Sequence, residues 1–184
     1  MHSSDNHDNA IDELAADVDT AKSILDAEDG PFNRRVYIRA LFAYLEGSSF
    51  FMRRNAEELL KKRREFGKLV NPETEFLLRD VIPSIASEGR VVCKKHKVPF
   101  ADHFAFTFRT FIEALEIQKD PFCETGWADL KKALIVRDRL THPKLQSDVE
   151  ISDQDLFYCQ SGIAWLGRIY SETLNKSNWG FGRS

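Results

Sequence analysis

"NRRVYIRALFAYLEGSSFFMRRNAEELLKKRREF", residues 33 to 66, is the longest patterned stretch of the chain. Its apolar residues Val36, Ile38, Leu41, Phe42, Leu45, Phe50, Phe51, Leu59 and Leu60 do not alternate, as a half-buried strand requires. They cluster at separations of three and four, the period of one helix face. The stretch reads as one long helix, or as two helices meeting near Gly47-Ser48-Ser49.

Both flanks repeat this pattern. Upstream, Ile11, Leu14, Ala15 and Val18 recur at helical spacing, and a first helix runs to about Ala27 before Gly30 and Pro31 break it. Downstream, Asn71 is placed to cap a helix with Pro72 at its first position and early acids, which Pro83 should kink or interrupt. Phe104, Phe108, Phe111, Ile112 and Leu115 form another apolar stripe, and Trp127, Leu130, Leu134 and Arg137 a similar one. Ser152 with Asp155 forms a capping box that opens a helix over residues 153–175. Leu156, Cys159, Ile163, Leu166, Ile169 and Tyr170 line its apolar side. These patterns predict an all-α, single-domain bundle of five or six helices over residues 10–176. A polar, disordered segment (1–9) should precede it and a flexible tail (177–184) follow it.

Composition sets the outer limits. The 184 residues are 42% hydrophobic and 30% charged, with 14 Phe, the balance of a soluble globular protein with an aromatic-rich core. A net charge of −3 supplies no whole-protein field for polyanions, so nucleic-acid binding would need a local basic patch. Two basic runs exist, Lys61–Lys68 and Lys94–Lys97. Each reads first as the solvated face or end of a helix, and second as a rim for phosphates. Cys93, Cys123 and Cys159 are odd in number and far apart, which suits a reducing compartment. No secretory signal or long apolar run is visible. A cytoplasmic protein away from membranes is therefore expected.

Metal chemistry finds no footing. None of the five histidines has a glutamate three residues before it, HExxH is absent, and no Cys/His cluster has zinc spacing. No metal site and no cofactor is expected. The glycine cluster "WGFG" has no helix after it to cradle phosphate. A bundle binding an apolar ligand among its Phe residues has only composition behind it.

That leaves "IVRDRLTHPK", residues 135–144. An arginine followed within a few residues by a histidine is cheap by chance among 14 arginines and five histidines; Arg90 and His96 make a second pair. Context separates the two. Arg90 follows Gly89 in a loop, whereas Arg137 lies on the apolar stripe of a helix and His142 precedes a helix-ending Pro143. The bland reading is a helix terminus whose Arg and His meet the macrodipole and the free carbonyls, with Asp138 pairing Arg137 or Arg139.

"VRDRLTHP" resembles the signature of the HEPN superfamily, small helical bundles whose motif is Arg, four to six residues, then His, with a polar residue such as Asp138 after the Arg. The motif's place near a helix end, ahead of a final helix, also matches. The likeness covers about eight residues and the architecture, and nothing specific in residues 1–125. It implies a metal-independent endoribonuclease of toxin or antiviral type, built as a homodimer with a composite site. His142 would act as base or acid and Arg137 would meet the phosphate's charge, with Asp138 orienting either. Thr141 would add a hydrogen bond, and Arg139 and Lys144 phosphate contacts. The alternative is a non-catalytic module binding a nucleotide or protein, a regulatory partner in a defence or toxin–antitoxin system. RNA, a nucleotide, an antitoxin or a regulatory protein are the partners these readings imply.

Overall fold

The computed structural model describes residues 5–118 and 120–176, with burial given for residues 10–118, 120–173 and 175. The all-α expectation holds. Among the described residues six α-helices dominate: α1 (Asp5–Ala27), α2 (Pro31–Glu65), α3 (Pro72–Leu78), α4 (Phe100–Ala114), α5 (Thr125–Thr141) and α6 (Asp153–Lys176). A two-stranded antiparallel sheet, β1 (Val81–Ile85) with β2 (Val91–Lys95), is inserted between α3 and α4. Single 3-10 turns occupy Pro121–Cys123 and Gln146–Val149. The 35-residue α2 is continuous through Gly47-Ser48-Ser49, which resolves the one-or-two question in favour of one. α1 starts at Asp5, ahead of its first apolar marker at Ile11. The expected loose tail, 177–184, and residues 1–4 lie outside the described residues.

Length suggests one core, but the chain gathers into two compact units. Among the described residues, the first takes in those before Ser49 and from Pro121 onward, the second those of Ser49–Asp120. In the first, the buried residues include Ile38, Leu41, Phe42 and Leu45 of α2, Leu130, Ala133, Leu134 and Leu140 of α5, and Cys159, Trp165, Leu166 and Ile169 of α6. Two glycines let α5 and α6 approach closely. A Cβ on Gly162 would stand 2.7 Å from the Leu130 Cα, and one on Gly126 2.2 Å from the Trp165 ring. Polar ties join the same helices: the Trp165 indole N–H donates to Glu124 at 3.0 Å, and the Ser161 hydroxyl to Asp129 at 2.8 Å.

The second unit packs Met52, Ala56 and Leu60 of α2 with Leu78 and the fully buried Phe104, Phe108 and Phe111 of α4. Each buried Phe side chain contributes about 1.5–3 kcal/mol. Arg63 donates to the carbonyls of Glu113 and Ala114, satisfying the last turn of α4.

One helical expectation is corrected here. Asn71 does cap α3, accepting from the Glu73 N–H at 3.0 Å, but α3 ends at Leu78 instead of continuing as a kinked helix. Pro83 sits in β1 opposite Cys93. Its missing N–H and ring clash forbid a helix interior, while β-branched Val81, Ile82, Ile85, Val91 and Val92 favour strand. Gly89, at φ +75°, supplies the left-handed turn residue between the two strands.

Candidate functional site

α5 ends where Pro143 forces it to. His142 leaves the helical region (φ −129°, ψ 58°), and its backbone N–H still donates to the Asp138 carbonyl at 3.0 Å. The His142 side chain is therefore presented at the helix terminus, exposed to solvent.

Arg137 lies on the side of α5 that faces α2. Its side chain is 23% exposed, 3.5 Å from the Glu46 carboxylate and 3.4 Å from that of Asp138. These separations make loose ion pairs, longer than the 2.7–2.9 Å of a tight charge-assisted hydrogen bond. Arg137 lines a groove of about 400 Å³ within the first unit. Ile38, Phe42, Leu140 and Ala43 give the groove apolar walls, and Arg39, Glu46, Arg137 and Thr141 its polar groups. Arg39 is exposed. The Thr141 hydroxyl donates back to the Arg137 carbonyl at 2.9 Å, an i−4 bond that fixes its rotamer.

The motif's other residues divide. Asp138 stays beside Arg137 and is largely exposed. His142 is close in sequence but is not among the groove's lining residues. Arg139 points elsewhere: it donates to the carbonyls of Ser147 at 3.3 Å and Glu150 at 2.8 Å and pairs with Asp155 at 2.5 Å. Lys144 is exposed, and its backbone N–H donates to Asp148 at 2.7 Å. The backbone N–H groups of Lys144 and Leu145 hold the Asp148 carboxyl below its usual range. Asp155 is also lowered: burial pushes it up, but the Ser152 N–H and hydroxyl and the Arg139 charge outweigh that. Two acids and Arg139 thus brace the segment that follows His142.

Arg39 and Glu46 were not visible as site residues in the sequence. Their only signal is a shared face of α2, seven residues apart, and recognising it requires knowing that α5 packs there. Among the described residues no cluster of His, Cys, Asp or Glu could hold a metal ion, and no described helix is long and apolar enough to cross a membrane. No family model, no curated protein and no solved structure matches the chain.

Proposed function

We propose that this chain is a HEPN-like, metal-independent endoribonuclease of the toxin or antiviral type, acting as a homodimer through Arg137 and His142. The observation that carries the reading is Arg137 itself. It lies in an open groove with Arg39 and Thr141, on the same helix whose end presents an exposed His142. A guanidinium there suits a phosphate's developing charge, and an imidazole can move protons at neutral pH.

The chemistry needs no metal. One imidazole removes the proton of an RNA 2′-hydroxyl, and the 2′-oxygen bonds to phosphorus as the bond to the 5′-oxygen breaks. A second imidazole, protonated, gives its proton to that leaving oxygen. The products are a 2′,3′-cyclic phosphate and a 5′-hydroxyl. One chain has one His142, so a two-fold dimer provides both groups. Lys144 offers a further phosphate contact, while Arg139 contributes by fixing the segment beyond His142. Asp138 and Glu46 hold Arg137 until a phosphate displaces them.

The second reading is a non-catalytic module binding a nucleotide or protein, and the two carboxylates already beside Arg137 favour it. RNA cleavage in EDTA separates the two. Wild type, Arg137→Ala and His142→Ala should each first be shown folded and dimeric. The nuclease reading expects cleavage by wild type and a loss of about 10²–10⁴-fold in His142→Ala, the usual worth of a general acid or base, with a comparable loss in Arg137→Ala. Glu46→Gln, which removes a competitor for Arg137, should keep cleavage intact. Inert wild type across varied RNAs would leave the binding module.

A further inference from the structure

The two basic runs of the sequence meet different fates in the structure. In the first, Arg63 and Lys68 pair with Glu116, and Arg64 pairs with Glu75 at 2.6 Å. Arg63 also satisfies the end of α4. That run is largely consumed in holding its own unit together. The second run lies on β2 and the residues after it. Lys94, Lys95, His96 and Lys97 are all exposed, and no side-chain ion pair joins any of them to an acid among the described residues. The three lysines, held close together with no acid paired to their side chains among the described residues, repel one another.

Three further observations accompany this. The pairing register sets Lys94 opposite Ile82 and Lys95 opposite Val81, so the two lysines project from opposite faces of the ribbon. Beside Gly89, Ile85 and Val91 are cross-strand partners on one face, 75% and 74% exposed. This directly paired aliphatic couple faces solvent, since among the described residues no third strand covers the two-stranded ribbon. The charge of the chain is also divided. Ser49–Asp120 carries 14 Lys and Arg against 11 Asp and Glu, and the remaining residues carry 12 against 18. The hairpin belongs to the net-basic unit.

We infer that the β1–β2 hairpin is a contact element for single-stranded RNA, with Lys94, Lys95 and Lys97 on phosphates and the Ile85–Val91 pair under an unstacked base. This inference rests on the ribonuclease reading for its choice of polymer. Charge complementarity selects a polyanion. Cations on both faces suit a flexible strand that can wrap the ribbon, and an exposed apolar pair suits the face of a base that is not stacked in a duplex. An A-form duplex instead hides its bases in a major groove that is deep and narrow.

The test separates binding from cleavage. The full-length His142→Ala chain is titrated against a fluorescently labelled, unstructured 12-nucleotide RNA in EDTA, by anisotropy, from 50 to 300 mM NaCl. The comparison variants add Lys94→Glu with Lys95→Glu on the hairpin, or Lys61→Glu with Lys62→Glu on α2, which change net charge equally. Each phosphate contact on a single strand contributes about 0.7 to the slope of log affinity against log salt. The hairpin variant should therefore bind at least tenfold more weakly and lose about 1.4 from that slope, and the α2 variant should change less than twofold. Ile85→Ser should weaken binding without altering the slope. Circular dichroism confirms that each variant is folded, as the exposure of all five positions allows.

Equal losses in both charge variants would reduce the effect to net charge and overturn the inference, as would unchanged affinity in the hairpin variant. Equal affinity for a labelled DNA of the same sequence would overturn the choice of RNA, and stronger retention on anionic vesicles would reassign the hairpin to a membrane surface. The ribonuclease reading fails separately: wild type would then bind RNA through the hairpin but leave it intact.

Discussion

α6 carries two glycines in contrasting surroundings, and replacing each by alanine measures how closely α5 and α6 are packed. At Gly167 the added Cβ meets nothing within 4 Å, so Gly167→Ala should show only the helix-propensity gain, about 0.5–1 kcal/mol. At Gly162 the same methyl would stand 2.7 Å from the Leu130 Cα and 2.8 Å from its N. Those are backbone atoms of α5 and cannot rotate away, so the helices must separate. Overpacking of this kind costs about 3 kcal/mol at the upper end of its range. Set against a gain of about 1 kcal/mol, Gly162→Ala should be destabilised by about 2 kcal/mol, and the two variants should differ by nearly 3. At about 2–4 °C per kcal/mol for a chain of this size, Tm should rise by a few degrees in Gly167→Ala and fall by about 4–8 °C in Gly162→Ala. Urea titration followed by tryptophan fluorescence reports the relevant unit through Trp127 and Trp165, which both lie in it. A Gly162→Ala chain as stable as wild type would refute the close approach of α6 to the α5 backbone. Because α5 carries Arg137, it would also unsettle the groove.

Other perturbations follow from single contacts. Asp155→Asn should cost about 2 kcal/mol by weakening charge-assisted hydrogen bonds to Ser152 and Arg139. The Asp155 carboxyl titrates below its unfolded value, so its stabilisation is complete above about pH 4 and disappears as pH falls through the lower folded value; acid titration of the Asn variant should be flatter in that window. The Thr107 hydroxyl is buried without a hydrogen-bond partner among the described residues, so Thr107→Val should leave Tm unchanged or raise it by the equivalent of about 1 kcal/mol. Cys159 is fully buried, and burial pushes its thiol up to about 12, whereas Cys93 and Cys123 are exposed. A thiol reagent at pH 8 should label two cysteines quickly and the third only when the chain unfolds.

Helices were legible wherever a local signal sufficed. The Ser152–Asp155 capping box forms as its spacing implies: the Ser152 N–H donates to the Asp155 carboxylate at 2.9 Å and the Asp155 N–H to the Ser152 hydroxyl at 3.2 Å. Pro83 was legible as a helix breaker but not as a strand residue, because Val81–Ile85 is too short to show a period and its partner lies beyond a turn. The division into two units was hidden because one uninterrupted helix, α2, belongs to both. In the site, Arg137, Asp138 and His142 could be read from one short segment. Glu46 and Arg39 could not, because their relation to Arg137 exists only once α2 and α5 lie side by side. Arg139 shows the same limit in reverse, since its bonds to Ser147, Glu150 and Asp155 depend on how the chain returns after His142.

The measurement to make first is the end chemistry of RNA cut in EDTA by the wild-type chain, beside His142→Ala and a substrate with 2′-deoxyribose throughout. Attack by the 2′-hydroxyl under imidazole catalysis predicts 2′,3′-cyclic phosphate and 5′-hydroxyl ends, no cleavage of the deoxy substrate, and loss of both products in His142→Ala. Products bearing 5′-phosphates, cleavage of the deoxy substrate, or undiminished cleavage by His142→Ala would contradict the assignment and return Arg137 and His142 to the role of a helix terminus.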